Sequence, residues 1–385
     1  MHSSLNSDEH LGAFEMYKAL AAITMMAELG AVSGAQAETY LTLYGMVDSG
    51  YGYQSYRYTR DSLDVRASKS GVRDGVIGAS RFGFKGSEDL GYGVSAIFQL
   101  EQQFNLSTGM APSGNYQFQR QAYVGLTSDK WGTLTLGRQY SVGAATTVTP
   151  NGWQLGKMNR VFGSTGVAAG NRVDDSIKYA TPTVAGLQAI LLYSPRDKGT
   201  MNRQTGSPVG EHASRISTGL IYSNGAFDAG GSYDRQGGTG HKSISNWQIN
   251  FSYDFKVFKF GLAYGQDRGG KIGWVGRSSS YIPAAHLPGR ASLDDRFKSH
   301  NYHIGLSAPI GSGLLYVGWN YSASNMDDPD KWGDGAGNIS TYQINYKYSL
   351  SKRTWLYAYG SYGKNLGYVK ALKGTEVGIG VQHKF

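Results

Sequence analysis

The chain has 385 residues, a formal net charge of +9 and no cysteine, which removes a disulfide framework, thiolate metal sites and a cysteine nucleophile from consideration. Its 55 glycines would suit a disordered chain, but aromatic residues make up 13% of it, too many for one unable to build a packed structure. Mean hydropathy is −0.37, and no stretch after residue 37 approaches the roughly 20 apolar residues of a membrane-crossing helix. A helical membrane protein is thereby excluded; a closed β-barrel, in which only alternate residues meet lipid, is not.

In chain order, Lys18, the apolar run 19–26 and Ala35-Gln36-Ala37 read as the basic start, apolar centre and small-residue cleavage site of an export signal, with Glu28 interrupting the pattern. Met16 stands directly before Tyr17 and Lys18 and reads as the start. Residues 1–15 are then an upstream extension, 16–37 a signal peptide and 38–385 the exported domain. The first 37 residues hold Lys18 against Asp8, Glu9, Glu15 and Glu28, so their removal raises the net charge from +9 to about +12. The basic residues stand singly rather than in runs, which fits a channel lining or loop surface and argues against nucleic acid as a partner.

Beyond the leader, apolar and polar residues alternate. In 92–103 the even positions Tyr92, Val94, Ala96, Phe98 and Leu100 are apolar, while Gly93, Ser95, Gln99, Glu101 and Gln103 are small or polar. Period two means opposite faces of a strand. Trp247, Ile249, Phe251 and Tyr253 oppose Gln248, Asn250, Ser252 and Asp254. Phe258, Phe260, Leu262 and Tyr264 oppose Lys259, Gly261, Ala263 and Gly265. The pattern returns at 301–307 and 341–348, where His303 and Lys347 fall on the polar face.

A soluble sandwich also alternates. Three features favour a membrane barrel: strands of about ten residues, aromatic residues on the apolar face near strand ends, and tight connections alternating with long polar ones such as 267–296. The segments number about sixteen, the first at 39–53, with ambiguous phase in 118–127 and 354–362 leaving eighteen open. An even count of this size encloses an aqueous channel rather than a packed interior.

Leu41-Thr42-Leu43-Tyr44-Gly45-Met46-Val47-Asp48 resembles the opening strand of general porins of Gram-negative bacteria, particularly β-proteobacteria. The resemblance returns at Ser80-Arg81-Phe82-Gly83-Phe84-Lys85-Gly86-Ser87-Glu88-Asp89-Leu90-Gly91, at Leu136-Gly137-Arg138-Gln139 and at Leu350-Ser351-Lys352-Arg353-Thr354. The closing Val377-Gly378-Ile379-Gly380-Val381-Gln382-His383-Lys384-Phe385 ends in a Phe similar to the signal read by the barrel assembly machinery. The resemblance implies an all-β, 16-stranded antiparallel transmembrane β-barrel with short periplasmic turns and long external loops, its third loop (about 140–171) folded into the lumen. It further implies an outer-membrane location reached through the periplasm, a homotrimer in contact with lipid and lipopolysaccharide, no cofactor or metal, and passage of small anionic and neutral solutes.

Such porins set a ladder of arginines on the wall against acids on the third loop. By position in the motifs, Arg81, Arg120 and Arg172 are the pore-constriction candidates. The phase of Phe82 and Phe84 sends Arg81, Gly83 and Lys85 inward. Arg138 has a similar family position, but its phase follows Leu134 and Leu136, which sets it behind the other three. The Pro-Glu-Phe-Gly motif is missing, and between Tyr140 and Asn171 there is no Asp or Glu; Lys157 and Arg160 occupy the loop instead. Inward Lys85, Lys259, Lys347 and Lys384 would extend a positive field, while Asp48, Glu101 and Asp254 would reduce it, giving a channel that prefers anions. A substrate-specific channel for phosphate or carboxylates, or an adhesin or receptor barrel, is the alternative. Catalysis is disfavoured: no Gly-x-Ser-x-Gly, His-Glu-x-x-His or Walker motif occurs.

Overall fold

A computed structural model describes residues 39–60, 62–111, 117–146, 172–197, 213–237, 243–269, 297–325 and 337–385. The proposed leader (1–37) therefore lies outside the described residues. Among the described residues seventeen strands form one antiparallel sheet. They are β1 (Thr39–Arg60), β2 (Leu63–Asp74), β3 (Arg81–Asp89), β4 (Val94–Gln103), β5 (Gln121–Ser128), β6 (Gly132–Tyr140), β7 (Arg172–Ala180), β8 (Leu187–Asp197) and β9 (Ala213–Asn224), then β10 (Phe227–Gln236), β11 (Ile244–Asp254), β12 (Lys259–Arg268), β13 (Lys298–Ile310), β14 (Gly313–Ser324), β15 (Ile339–Ser349), β16 (Thr354–Lys364) and β17 (Leu372–Lys384).

The sheet closes on itself. β17 pairs with β1 from Lys384 opposite Met46 to Leu372 opposite Tyr58, and the Gly45 and Phe385 backbones exchange hydrogen bonds of 3.0 and 3.2 Å at the seam. No strand edge of the closed wall is left for lipid to meet. β2 and β3 form one stave, because both pair with β1: β2 along 49–60 and β3 along 39–46. Seventeen strands thus make sixteen staves, and the eighteen-strand alternative falls away.

The first strand runs seven residues further than expected, and β2 is a strand the alternation did not reveal. At about 3.3 Å per residue β1 extends roughly 70 Å, much more than a tilted strand needs to cross a membrane. The outer halves of β1 and β2 therefore rise above the bilayer, where no lipid imposes a one-sided pattern.

Connections alternate around the wall. At one end they are tight, as at Gly225-Ala226 and Gly311-Ser312, where the glycines supply the left-handed φ that a two-residue turn requires (+61° and +57°). At the other end the links are long, including 104–120, 141–171 and 269–297. Tyr92, expected to open β4, instead sits in the 90–93 turn at φ +54°, and the strand begins at Val94. Asp254 is the last residue of β11, at the edge of a tight turn, where it accepts a hydrogen bond from the Lys256 amide (2.7 Å).

The inside-out arrangement follows the alternation. On β11, Ile249 is 55% exposed while neighbouring Gln248 is 4% exposed. Leu136, Leu220, Ile304, Ile344 and Ile379 face outward, whereas Asn301, Asn320, Ser322 and Thr341 point into the barrel and are buried there. Two aromatic belts edge the apolar band. Toward the tight turns Tyr222, Phe227, Phe251, Tyr253, Phe255 and Phe258 form a chain of ring contacts and close neighbours. Toward the long loops Trp247, Tyr264, Tyr302, Tyr321 and Trp319 form another. Trp247 and Tyr253 belong to opposite belts of one strand, six residues or roughly 20 Å apart, close to the height of an outer-membrane apolar band.

Candidate functional site

The ladder register brings Arg81, Glu101, Tyr140 and Arg172 together on the inner wall of β3–β7. Arg81 opens β3 opposite Gln103; Glu101 of β4 stands opposite Gln121; Tyr140 closes β6 opposite Arg172, which opens β7. Arg120 was expected within a strand but lies one residue before β5, after Phe118 at φ +42°. Leaving the ladder frees it from the phase of Ala122 and the lipid-facing Val124, and its side chain turns to Glu101.

Glu101 is the hub. It accepts hydrogen bonds from Tyr44 Oη (3.0 Å) and from Arg120 Nε, and Arg81 Nε stands 3.4 Å away. Arg120 also donates through Nη1 to Gln103 Oε1 (3.0 Å) and through Nη2 to Tyr140 Oη. Arg172 donates to that same phenol oxygen (3.0 Å), with its guanidinium carbon 4.9 Å from the ring centroid. Gln99 extends the group, accepting from Gln121 Nε2 (2.9 Å) and Tyr123 Oη (2.8 Å).

Two guanidiniums, Arg81 and Arg120, thus hold one carboxylate, and Arg172 joins them through Tyr140; Arg120 lies close enough to repel both Arg81 and Arg172. Two unit charges 6 Å apart interact by roughly 0.7 kcal/mol in water and several-fold more beside low-dielectric walls. Concentrating like charge in this way works against stability.

Arg138 behaves differently. At Arg138 the β6–β7 register shifts: Gly137 pairs with Ser176 and Gln139 with Val173, so Asp174 and Asp175 together stand opposite Arg138, and Gly137 takes φ +133°. Arg138 donates through Nε to the Gln119 carbonyl (2.7 Å) and pairs with Asp174, which offsets its charge. Lys157 and Arg160 lie outside the described residues. Lys85 keeps the inward face of Arg81, its ammonium 5.9 Å from the Tyr44 ring centroid. Lys259 pairs with Asp228 (2.9 Å), and Lys347 donates to Gln382 Oε1 (2.7 Å) over the Trp355 ring.

Asp48 does not face open channel. Its carboxylate is fully buried and accepts from the Val76 and Gly78 amides (3.1 and 3.0 Å), Tyr357 Oη (2.8 Å) and Gln382 Nε2 (2.8 Å). Four neutral donors thus enclose it and keep it from direct contact with the channel.

The third connection at the long-loop end starts inside the barrel. After β6 a four-residue helix, α1 (Val142–Ala145), lies against the inner faces of β9, β10 and β11, none of them a ladder neighbour of β6. The Val142 amide donates to Ser217 Oγ (2.9 Å), and the Gly143 and Thr146 carbonyls accept from Gln248 (2.8 Å) and Asn250 (3.2 Å). Gly230 permits this approach: a Cβ there would stand 1.9 Å from the Thr146 carbonyl oxygen. Residues 147–171 of the loop lie outside the described residues. Beneath α1, Arg215 and Asp234 form a fully buried pair (3.4 Å), and Asp234 also accepts from Ser217 and from the Gly143 amide.

The sequence reading missed Tyr140, Tyr44 and the Arg215–Asp234 pair. For Arg215 a signal existed: Arg215, Ser217 and Gly219 alternate with Ile216, Thr218 and Leu220. Among the described residues no group of three or more His, Asp or Glu side chains is arranged to hold a metal.

A closed barrel of sixteen staves, apolar outside and polar inside, with tight turns at one end and long loops at the other, defines a channel-forming protein of the outer membrane. The chain belongs to the Gram-negative porin family, whose sequence model matches residues 19–368. An outer membrane porin protein of Bordetella pertussis is 35% identical over 96% of this chain and 100% of its own length. Outer membrane porin protein 32 of Delftia acidovorans is 28% identical, covering 94% and 92%. Among solved structures, the anion-selective porin from Comamonas acidovorans superposes with a TM-score of 0.67 at 22% identity, covering 90% of this chain and 100% of that one. This protein is accordingly an outer-membrane porin, a water-filled channel for passive diffusion of small hydrophilic solutes.

Proposed function

We propose that the channel prefers anions, and that Arg81, Arg120 and Arg172 form its selective narrow zone. The observation carrying this reading is that Arg81 and Arg120 share the carboxylate of Glu101 while Arg172 joins Arg120 on the Tyr140 oxygen, so the linked group holds three guanidiniums against one carboxylate. Arginine keeps its charge at any relevant pH and offers a planar fork to carboxylate or phosphate. The absence of acids from 141–171 supports it, since that loop brings no carboxylate to face the cluster. The name of the Comamonas acidovorans neighbour, an anion-selective porin, agrees. In a planar bilayer with a KCl gradient the reversal potential should have the anion-selective sign and weaken in Arg81→Ser and Arg172→Ser. A cation-selective wild type overturns the reading.

Two guanidiniums sharing the Tyr140 oxygen also resemble a binding station, so a channel specific for phosphate or small carboxylates is the second reading. Conductance that saturates at modest solute concentration would favour it. We assign the chain a homotrimeric state, as in the trimer form described for OmpT of Vibrio cholerae, with lipid and lipopolysaccharide around it. Residues 16–37 serve as its export leader, and no catalytic role is assigned.

A further inference from the structure

The stave made of β2 and β3 is interrupted at 75–80, and these six residues turn into the barrel. Val76 packs with Tyr357 and Tyr359 of β16, and Ile77 packs on Tyr316 of β14, which also touches Ala263 of β12. All three tyrosines point inward and are buried. The segment leaves the wall beside β1, passes the inner faces of β17 and β16, and reaches a side chain of β14. It covers an arc of the interior that neither the arginine cluster on β3–β7 nor α1 on β9–β11 occupies.

Asp48 fixes it along its whole length. Besides the four hydrogen bonds to its carboxylate, the Asp48 carbonyl accepts from the Gly75 amide (2.9 Å) and Ser80 Oγ (3.2 Å), and its own amide donates to Ser80 Oγ (2.9 Å). Two glycines make the path feasible. Gly75 adopts φ +59°, and a Cβ on Gly78 would stand 2.4 Å from Met46 Cε. Arg81 follows immediately and donates through Nη1 to the Ala79 carbonyl (3.2 Å), so the segment and the arginine cluster share one level of the channel.

We infer that residues 75–80 are a second constricting element, independent of the third loop, in which Val76 and Ile77 set the size limit for solutes and Asp48 is the positioning residue. The inference rests on the chain being a channel and not on its preference for anions. A hydrogen-bonded strap with apolar tips restricts by bulk: it adds no charge of its own, and its carboxylate anchor is enclosed. It should therefore govern conductance and exclusion limit, while the arginines govern the sign of selectivity.

The test is single-channel conductance in symmetric KCl, with liposome swelling in sugars of increasing size, on Ile77→Gly and Ile77→Trp. Folding is verified by the heat-dependent gel mobility of the barrel. Conductance should rise roughly 1.5-fold or more for Ile77→Gly and fall comparably for Ile77→Trp, with the exclusion limit moving in the same directions and the reversal potential keeping its sign. Asp48→Asn places an amide donor against two of the four donors it now accepts from, so its current should become noisy, with several conductance levels. Folded Ile77 variants with wild-type conductance and exclusion limit overturn the inference. A wild type found to be cation-selective would overturn only the anion reading, because the conductance comparison does not depend on it.

Discussion

Arg120 and Arg172 donate to the same oxygen, the phenol of Tyr140, although the two arginines flank different strands. The ring also lies under both guanidiniums, 5.8 and 4.9 Å from its centroid. Tyr140 therefore holds two like charges in one place, which neither would adopt unaided. Tyr140→Phe keeps the ring and removes the acceptor, at a cost of about 1 kcal/mol of positioning. The anion-to-cation permeability ratio should fall roughly two-fold with conductance nearly unchanged. A reversal potential equal to the wild type's would show that the shared phenol does not set the arginines.

Glu101 has the opposite effect on the field. Its carboxylate answers Arg81, Arg120 and Tyr44, and it is only 5% exposed. Glu101→Gln leaves the guanidiniums with a neutral partner, so the local charge becomes more positive while the cluster loses its hub. Anion preference should increase, and the barrel should unfold more readily by about 2–3 kcal/mol, less than for a fully buried pair because the arginines retain partial solvent contact. The two readouts, reversal potential and urea unfolding in detergent micelles, should move in opposite directions.

The lipid-facing alternation was legible on β11, β13 and β15, which follow the phases read from 247–253, 301–307 and 341–348, and ambiguous over 118–127 and 354–362, where β5 and β16 run. The arginines were found by their place in motifs, and Arg81 also by phase. Legibility failed where that environment changes. β2 stands above the bilayer, so Arg66, Ala67, Ser68 and Lys69 show no period that lipid would impose. Arg138 stands at a bulge whose extra residue is in β7, where Asp174 and Asp175 oppose it, a local irregularity that a period-two reading of β6 does not contain. The 75–80 strap reads locally as a Gly-bounded turn. Its apolar residues acquire meaning only through Tyr316, Tyr357 and Tyr359, more than two hundred residues away.

Asp234 bears on the root of the third loop. It pairs with Arg215 in a fully buried site and accepts from the Gly143 amide of α1. Asp234→Asn removes the countercharge from a buried guanidinium and should cost about 3–5 kcal/mol in unfolding free energy. Replacing both residues, Arg215→Met with Asp234→Leu, should recover most of that, since no buried charge is then left without its counterion. In the double variant α1 loses a tether, because Leu has no acceptor for the Gly143 amide, so conductance fluctuations should increase there even as stability recovers. A quiet, stable double variant would mean that Ser217, Gln248 and Asn250 suffice to hold the loop root.

Ionic strength separates a field from a binding station. The Debye length is about 10 Å at 0.1 M salt and about 3 Å at 1 M, so a preference created by the net charge of Arg81, Arg120, Arg172 and Glu101 must weaken as salt rises. A preference created by direct guanidinium contacts with a dehydrated carboxylate or phosphate should persist, because contact distances are shorter than either screening length. Reversal potentials measured at a fixed KCl ratio, from dilute to molar concentrations, should therefore converge toward the unselective value. Repeating the series with phosphate or a small dicarboxylate replacing chloride provides the contrast. Selectivity for chloride that survived molar salt would count against the electrostatic account, and would point to coordination by Arg120, Arg172 and the Tyr140 hydroxyl.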